Sequence, residues 1–461
     1  MKKFILFLLS LPLLAAIPAD TEWEIRADIG DDTNGGGFSK SNKGTTGVDM
    51  TYGAGYAVVS FNGTLSASGT TTLTDSAGGF TNTMLGNVIN IAGQGFYCIV
   101  GYTDANNVTV DRALGTFSGA SAKVGGALAT PGRIDTNNAV AGYNVIHIKA
   151  ATYTITSTSS GVSGGKIYYN NTVVVEGYGS TRWDLGTRPL ITVQSGITSI
   201  TLLSIYNGSA INFTIDCASQ SGTSGFGTGA NGGLQYAEVR NCGSNGIGGN
   251  GNGIFQYVES HHNGGTGAYN INNCYYCYFH HNGSDGLQTV GGTFSHVISA
   301  FNGRYGIRTS YGNQIRDCVM YGNTNSGLYS DESYGQFWVN NISYGNGGYG
   351  FQVSNTTADW VYANNNAVGN NTSGGWYDPA NRIRMNVNTI SLTANPFVNP
   401  SAGDFSLNAT TGGGALLRDA GYPQWFDAAK TTTPTRKDVG AVDKYQYAGG
   451  GVTLAGGAYV Q

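Results

Sequence analysis

Charge is scarce in this chain. Only 11% of its 461 residues are charged, 23 Lys and Arg against 27 Asp and Glu, where ordinary globular chains carry roughly 25%. No basic stripe is present to neutralise phosphates, which excludes nucleic acid as a partner. The net charge of −4 gives no long-range field for capturing a polyanion, so an acidic sugar would have to be held by a few local cations. Proline is also rare, at 9 residues, and no helical stripe of apolar residues is visible. Disorder is nevertheless disfavoured, because 40% of the residues are apolar and the charges nearly balance. The conspicuous apolar run is Phe4 to Leu14, behind Met1, Lys2 and Lys3. It is interrupted by Pro12, too short to span a bilayer, and closed by Ala15, Ala16 and Ala19, which reads as a cleaved secretion signal over residues 1–19. That reading places the protein in the secreted or cell-surface class, with no membrane span after cleavage.

Glycine, asparagine and tyrosine fill the space that charge leaves; there are 73 Gly and 29 Tyr. Between Gly233 and Trp376 a phrase of the form Asn-Gly-x-x-Gly-apolar returns, at Asn263 to Gly267, Asn282 to Leu287, Asn302 to Ile307, Asn323 to Leu328, where Thr324 replaces the first glycine, and Asn346 to Phe351. With Gly246 before and Gly375 after, the closing glycines step by 21, 19, 20, 21, 23 and 25 residues. A period of about 20 with short alternating runs between turns describes one coil of a solenoid. Successive coils then stack as parallel strands roughly 4.8 Å apart. Asn suits the turn because it tolerates left-handed dihedrals and bonds nearby backbone, and stacked copies can form a ladder. The glycine allows a sharp bend before the next residue drops into the core.

On these residues the chain resembles the right-handed parallel β-helix proteins of the secreted, pectate-lyase-like group. The resemblance implies an all-β, right-handed, single-stranded parallel β-helix. It implies a scaffold rather than a reaction, since that architecture hosts lyases, hydrolases, tailspikes and adhesins. Five segments follow the leader. Residues 20–54 are an N-terminal segment, and 55–127 a small antiparallel β module with strand-like runs such as Val88 to Ile91 and Tyr97 to Val100. Residues 128–382 form the solenoid, 383–446 a C-terminal cap and 447–461 a Gly-rich tail. The cap phrase, from Pro396 through Asp404 and Leu407 to Asp419 and then Asp438 to Ala441, resembles the closing segment of secreted β-helix proteins. A solenoid end exposes strand edges that need covering. These aspartates are read as turn-forming. Asp28, Asp31, Asp32 and Asn34 lack the EF-hand spacing and read as a solvated turn. No ligand set for calcium or another metal is identified and no cofactor is expected. The six cysteines, Cys98, Cys217, Cys242, Cys274, Cys277 and Cys318, show no regular framework and are read as buried thiols.

Period 2 within each coil sends Val258 and Ser260, Cys277 and Phe279, Val297 and Ser299, Cys318 and Met320 inward. The outward set is then Glu238 and Arg240, Glu259 and His261, Tyr278 and His280, Ile298 and Ala300, Val319 and Tyr321, Ile342 and Tyr344. Glu238 and Glu259 become neighbours, and two close carboxyls raise each other's pKa so that one can act as an acid while the other stays ionised. Their spacing suits retaining glycoside hydrolysis. The same row suits a ladder of compatible polar side chains with no ligand. His262 and His281, beside the turn Asn, are read as turn or packing residues. A second group, Gln288, Arg308, Tyr329 and Asp331 with Arg304 and Glu332, follows the closing glycines. Arg308 can fork onto a uronate carboxylate as a lyase requires. Tyr278, Tyr321, Tyr329 and Tyr344, with Gln288, Arg240 and Arg304, suit stacking and hydrogen bonding to sugars. The expected function is binding, with cleavage by a lyase or glycosidase, of an extracellular polysaccharide or cell-surface glycan. The alternative is a non-catalytic adhesin, tailspike-like or surface-structural solenoid. Catalysis at Glu238, Glu259, His261, His280, Arg308 and Asp331 separates the two.

Overall fold

A computed structural model describes residues 17–134, 144–249, 252–331, 335–354, 360–384, 386–418, 420–421 and 438–441, together with two short strands at Val452–Thr453 and Tyr459–Val460. The apolar leader read over residues 1–19 lies outside these up to Ala16, as do Glu332 and Asp419. Among the described residues no helix is long and apolar enough to cross a membrane. Two compact units are present, one built mainly from residues 29–129 and the other mainly from residue 146 onward.

The first unit contains a closed antiparallel barrel of six strands, Val58–Ser68, Thr72–Asp75, Val88–Ile91, Gly95–Asp104, Asn107–Val110 and Thr116–Gly125. Alternate residues Phe61, Leu65, Leu73, Ile89, Ile99 and Val108 fill its interior. Its turns use the expected chemistry: Asp104 Oδ1 accepts from the Asn106 amide at 2.8 Å.

The second unit is a parallel β-helix. Three parallel sheets run along it, because each regular coil contributes three short strands, for example Leu287–Thr289, Gly292–Ser295 and Ile298–Ala300. Each pairs with its counterpart one coil on. The register follows the repeat: Leu190, Thr214, Glu238, Glu259, Tyr278, Ile298, Val319, Ile342 and Ala367 are successive partners. The residue after each closing glycine from Gly246 to Gly350, namely Ile247, Ala268, Leu287, Ile307, Leu328 and Phe351, is fully buried.

The turn Asn residues form a continuous buried ladder. Asn263 donates to Asn282 at 2.9 Å, Asn282 to Asn302 and Asn302 to Asn323 at 3.0 Å, Asn323 to Asn346 and Asn346 to Asn371 at 2.9 Å. The left-handed residue is the one before each Asn, as at His262 (φ 54°), His281 (φ 52°) and Phe301 (φ 56°). The closing glycine is required by space: a Cβ on Gly286 would lie 1.9 Å from Ser299 Oγ and 2.5 Å from Asn302 Nδ2.

Two expectations change. Four of the six cysteines are paired, Cys217 with Cys242 and Cys274 with Cys277, leaving Cys98 and Cys318 as buried thiols. The C-terminal segment is not confined to the solenoid's end. Phe397, Phe405, Leu407, Leu417, Val439 and Ala441 pack along its flank against Tyr278, Ile298, Val319, Ile342, Tyr344 and Ala367. The apolar half of the outward face is therefore core, closed by the last part of the described chain.

Candidate functional site

Where the apolar cover stops, the outward face turns polar. Glu238 and Glu259 stand in register on adjacent rungs, with Arg240, His261 and His280 in the column two residues on. Both carboxyls are almost completely buried, at 5% and 3% exposure. Each histidine reaches back to the glutamate of the rung before it: His261 Nε2 lies 3.1 Å from Glu238 Oε1, and His280 Nε2 lies 2.9 Å from Glu259 Oε1. The two imidazoles stack in parallel, 4.8 Å between centroids and 6° between planes. Arg240 Nη1 donates to Glu238 Oε1 at 2.7 Å, and its Nε to Asp216 Oδ2 at 2.9 Å. Glu259 Oε2 is buried with no hydrogen-bond partner.

These surroundings drive the two carboxyls apart. Burial alone would raise Glu238, but the hydrogen bond from His261 and the Arg240 guanidinium outweigh it and hold the group below the ordinary range. Glu259 is pushed up to about 8, first by burial and then by the Glu238 charge, with Arg188 and Arg240 pulling weakly the other way. At neutral pH one carboxyl is ionised and the other holds a proton. Burial, followed by the neighbouring histidines, keeps His280 neutral by depressing its pKa. This division of two adjacent carboxyls is the electrostatic pattern of an acid paired with an anion.

Glu259, His261 and His280 also offer donor atoms within 4.8 Å of one another. They do not fit a metal as they stand. Two parallel rings stacked 4.8 Å apart aim their Nε2 lone pairs side by side, whereas metal–nitrogen bonds of about 2.0 to 2.1 Å require them to converge. His261 Nε2 is moreover engaged by Glu238, which lies outside the group.

The other sequence candidates fall elsewhere. Gln288, Arg308 and Tyr329 form a column on the sheet that follows the closing glycines, apart from the glutamate column. The Arg308 fork is already occupied by Asp331, with Nε 2.7 Å from Oδ2. Arg304 Nε donates to the buried Asp285 at 2.6 Å. Tyr329 stacks on Tyr305 at 4.2 Å and accepts a hydrogen bond from Ser354. Tyr278 and Tyr344 lie in the core beneath the C-terminal segment, and half-buried Tyr321 meets Phe397 and Phe405 edge to face. They present no open ring for a sugar because the segment covers them. Sequence reasoning missed Arg188 and Asp216, which lie on irregular coils without the glycine phrase. It also set aside His262 and His281, whose Nδ1 atoms lie 2.7 Å and 2.8 Å from those of His261 and His280.

No protein-family model matches the chain. Over 60 residues it is 40% identical to the mannuronan C5-epimerase AlgE1 of Azotobacter vinelandii, which covers 13% of this chain and 4% of that protein. The chain thus spans a small fraction of the curated relative it matches. Among solved structures, the mannuronan C-5 epimerase AlgE4 A-module of Azotobacter vinelandii is similar at 15% identity and TM-score 0.38, over 50% of this chain and 69% of that one. Pectate lyase Pel9A is similar at 16% identity and TM-score 0.38, over 66% and 88%. The Dettilon tailspike protein is similar at 12% identity and TM-score 0.36, over 54% and 55%.

Proposed function

We propose that this protein acts outside the cytoplasm on a polysaccharide, binding it at the polar flank around Glu238 and Glu259 and cleaving it by acid–base chemistry. One observation carries the reading: two in-register carboxyls on adjacent rungs, one stripped of its proton by His261 and Arg240, the other kept protonated by burial. Glu259 would give its proton to the leaving glycosidic oxygen, while ionised Glu238 stabilises positive charge at the sugar ring or attacks it. A rung spacing of roughly 4.8 Å is close to the roughly 5 to 5.5 Å of retaining glycoside hydrolysis. Export is supported by the two cysteine pairs, which persist in oxidising compartments, and by the apolar leader. The short likeness to an enzyme named for mannuronan puts uronate polymers first among substrates. In this proposal Arg308 and Asp331 hold each other and take no part in the chemistry.

The test is a panel of uronate and neutral polysaccharides, read by absorbance of unsaturated uronates and by new reducing ends. Turnover by the wild type that falls by about 10²- to 10⁴-fold in Glu259→Gln, with binding retained, supports the proposal. Full activity in Glu259→Gln overturns it. The internal pairing of Arg240, His261, Arg304 and Arg308 with carboxylates favours a second reading, a glycan-binding solenoid without chemistry. Binding with no product anywhere on the panel would establish that one.

A further inference from the structure

The two histidine pairs do more than fill turns. On one rung Glu238 Oε1 meets His261 Nε2, and His261 Nδ1 meets His262 Nδ1; on the next, Glu259 Oε1 meets His280 Nε2, and His280 Nδ1 meets His281 Nδ1. All four links measure between 2.7 and 3.1 Å. Each chain starts at a carboxyl almost shut off from water and ends on an exposed histidine. The two copies stack ring on ring, His261 over His280 and His262 over His281, the latter 5.2 Å apart and 2° from parallel. We propose that Glu259–His280–His281 and Glu238–His261–His262 are two parallel proton relays joining the buried carboxyls to the surface.

The hydrogen-bond inventory permits this with both histidines neutral. An Nδ1···Nδ1 contact holds one proton, so if His281 carries it, His280 Nδ1 accepts and His280 Nε2–H donates to Glu259. Exchange of a proton between solvent and ionised Glu259 is then a concerted shift. His281 Nε2 takes a proton from water, the His281 Nδ1–H passes to His280 Nδ1, and the His280 Nε2–H passes to Glu259 Oε1. One N–H or O–H bond forms for each that breaks, and both imidazoles exchange tautomers. The groups facing Glu259 are Glu238, Arg188, Arg240, His280 and Tyr278. Those facing His281 are His280, His262, His261 and the Phe301 ring. None of the described groups facing His281 is a carboxylate, so it can pass a proton without being pinned in the charged form. The use of the relays in turnover rests on the acid–base reading above; their existence does not.

Nitrogen-15 spectra of the full-length protein labelled at its six histidines test the relays without substrate. The expected result is scalar coupling across both Nδ1–H···Nδ1 bonds. In His281→Phe the His280 coupling should vanish, and exchange of the His280 Nε2–H with water should slow on the order of a hundredfold, the low side of what a positioned acid–base group contributes. Phe is compatible with the site, because Phe301 occupies the same turn position one rung on with φ 56°. Asn is compatible too, since Asn241 holds that turn position with φ 53°, and His281→Asn checks that slowing follows loss of the imidazole rather than the new ring. Absence of coupling in the wild type, or unchanged exchange in both variants, overturns the proposal. Coupling and exchange as expected in a protein that turns over no polysaccharide would keep the relays and remove the catalytic reading. Turnover with neither would do the reverse.

Discussion

Glu259 and the buried His280 give the folded state opposite pH dependences: burial raises the carboxyl and depresses the imidazole, so stability gained from His280 as pH rises toward the ordinary imidazole range opposes what Glu259 loses. The Glu259 carboxyl titrates near 8 in the fold against 4.5 for a free side chain. Between those values the folded protein keeps a proton that the unfolded chain releases. Through Glu259, raising the pH across this window favours unfolding, by up to about 1.4 kcal/mol per pH unit, and the loss levels off above 8. Glu259→Gln should remove this contribution, so that the melting temperature falls less between about pH 6.5 and about pH 8 than in the wild type; an equal fall in both would discount Glu259 as the source. Gly286→Ala places a methyl against Ser299 Oγ and the Asn ladder and should cost about 1 to 3 kcal/mol in a denaturant titration. At this scale the glutamate register was legible, because regular glycine spacing turns a step of about 20 residues into adjacency. Arg188 and Asp216 were not, since their coils step by 24 residues through Leu190, Thr214 and Glu238 without the marking phrase.

The Asn ladder works as a single element, each amide accepting from the rung before and donating to the rung after. Asn302→Ala strips acceptors from both the backbone and side-chain nitrogens of Asn282. It should lower stability by about 1 to 3 kcal/mol for the donors left buried, measured by the urea midpoint. The Cys217–Cys242 link joins consecutive coils 25 residues apart, and its replacement by alanines should cost about 2 to 4 kcal/mol. The ladder could be read ahead because the Asn recurs at one place in the phrase. The cysteine pairs could not: Cys217 and Cys242 sit where the spacing is irregular, and Cys274 and Cys277 share a coil whose corner, at Tyr276 with φ 56°, turns the two side chains toward each other.

For the whole molecule, the C-terminal segment decides which part of the solenoid flank is core and which is available for chemistry. Phe405, 2% exposed and in edge contact with Tyr278, Tyr321 and Phe397, should cost about 3 to 5 kcal/mol on change to alanine, checked by thermal unfolding. The sequence carried a sign of this cover. Period 2 puts Ile298, Val319 and Ile342 outside the coil, and apolar residues on an outer face require something to lie over them. Synthesis runs from the N-terminus, so every rung is made before the strap that will cover them. A chain halted after Ser391 would have its paired rungs but leave Ile298, Val319 and Ile342 bare on one greasy side, prone to clump. Arrival of the strap, rather than assembly of the rungs, is the step that hides this side.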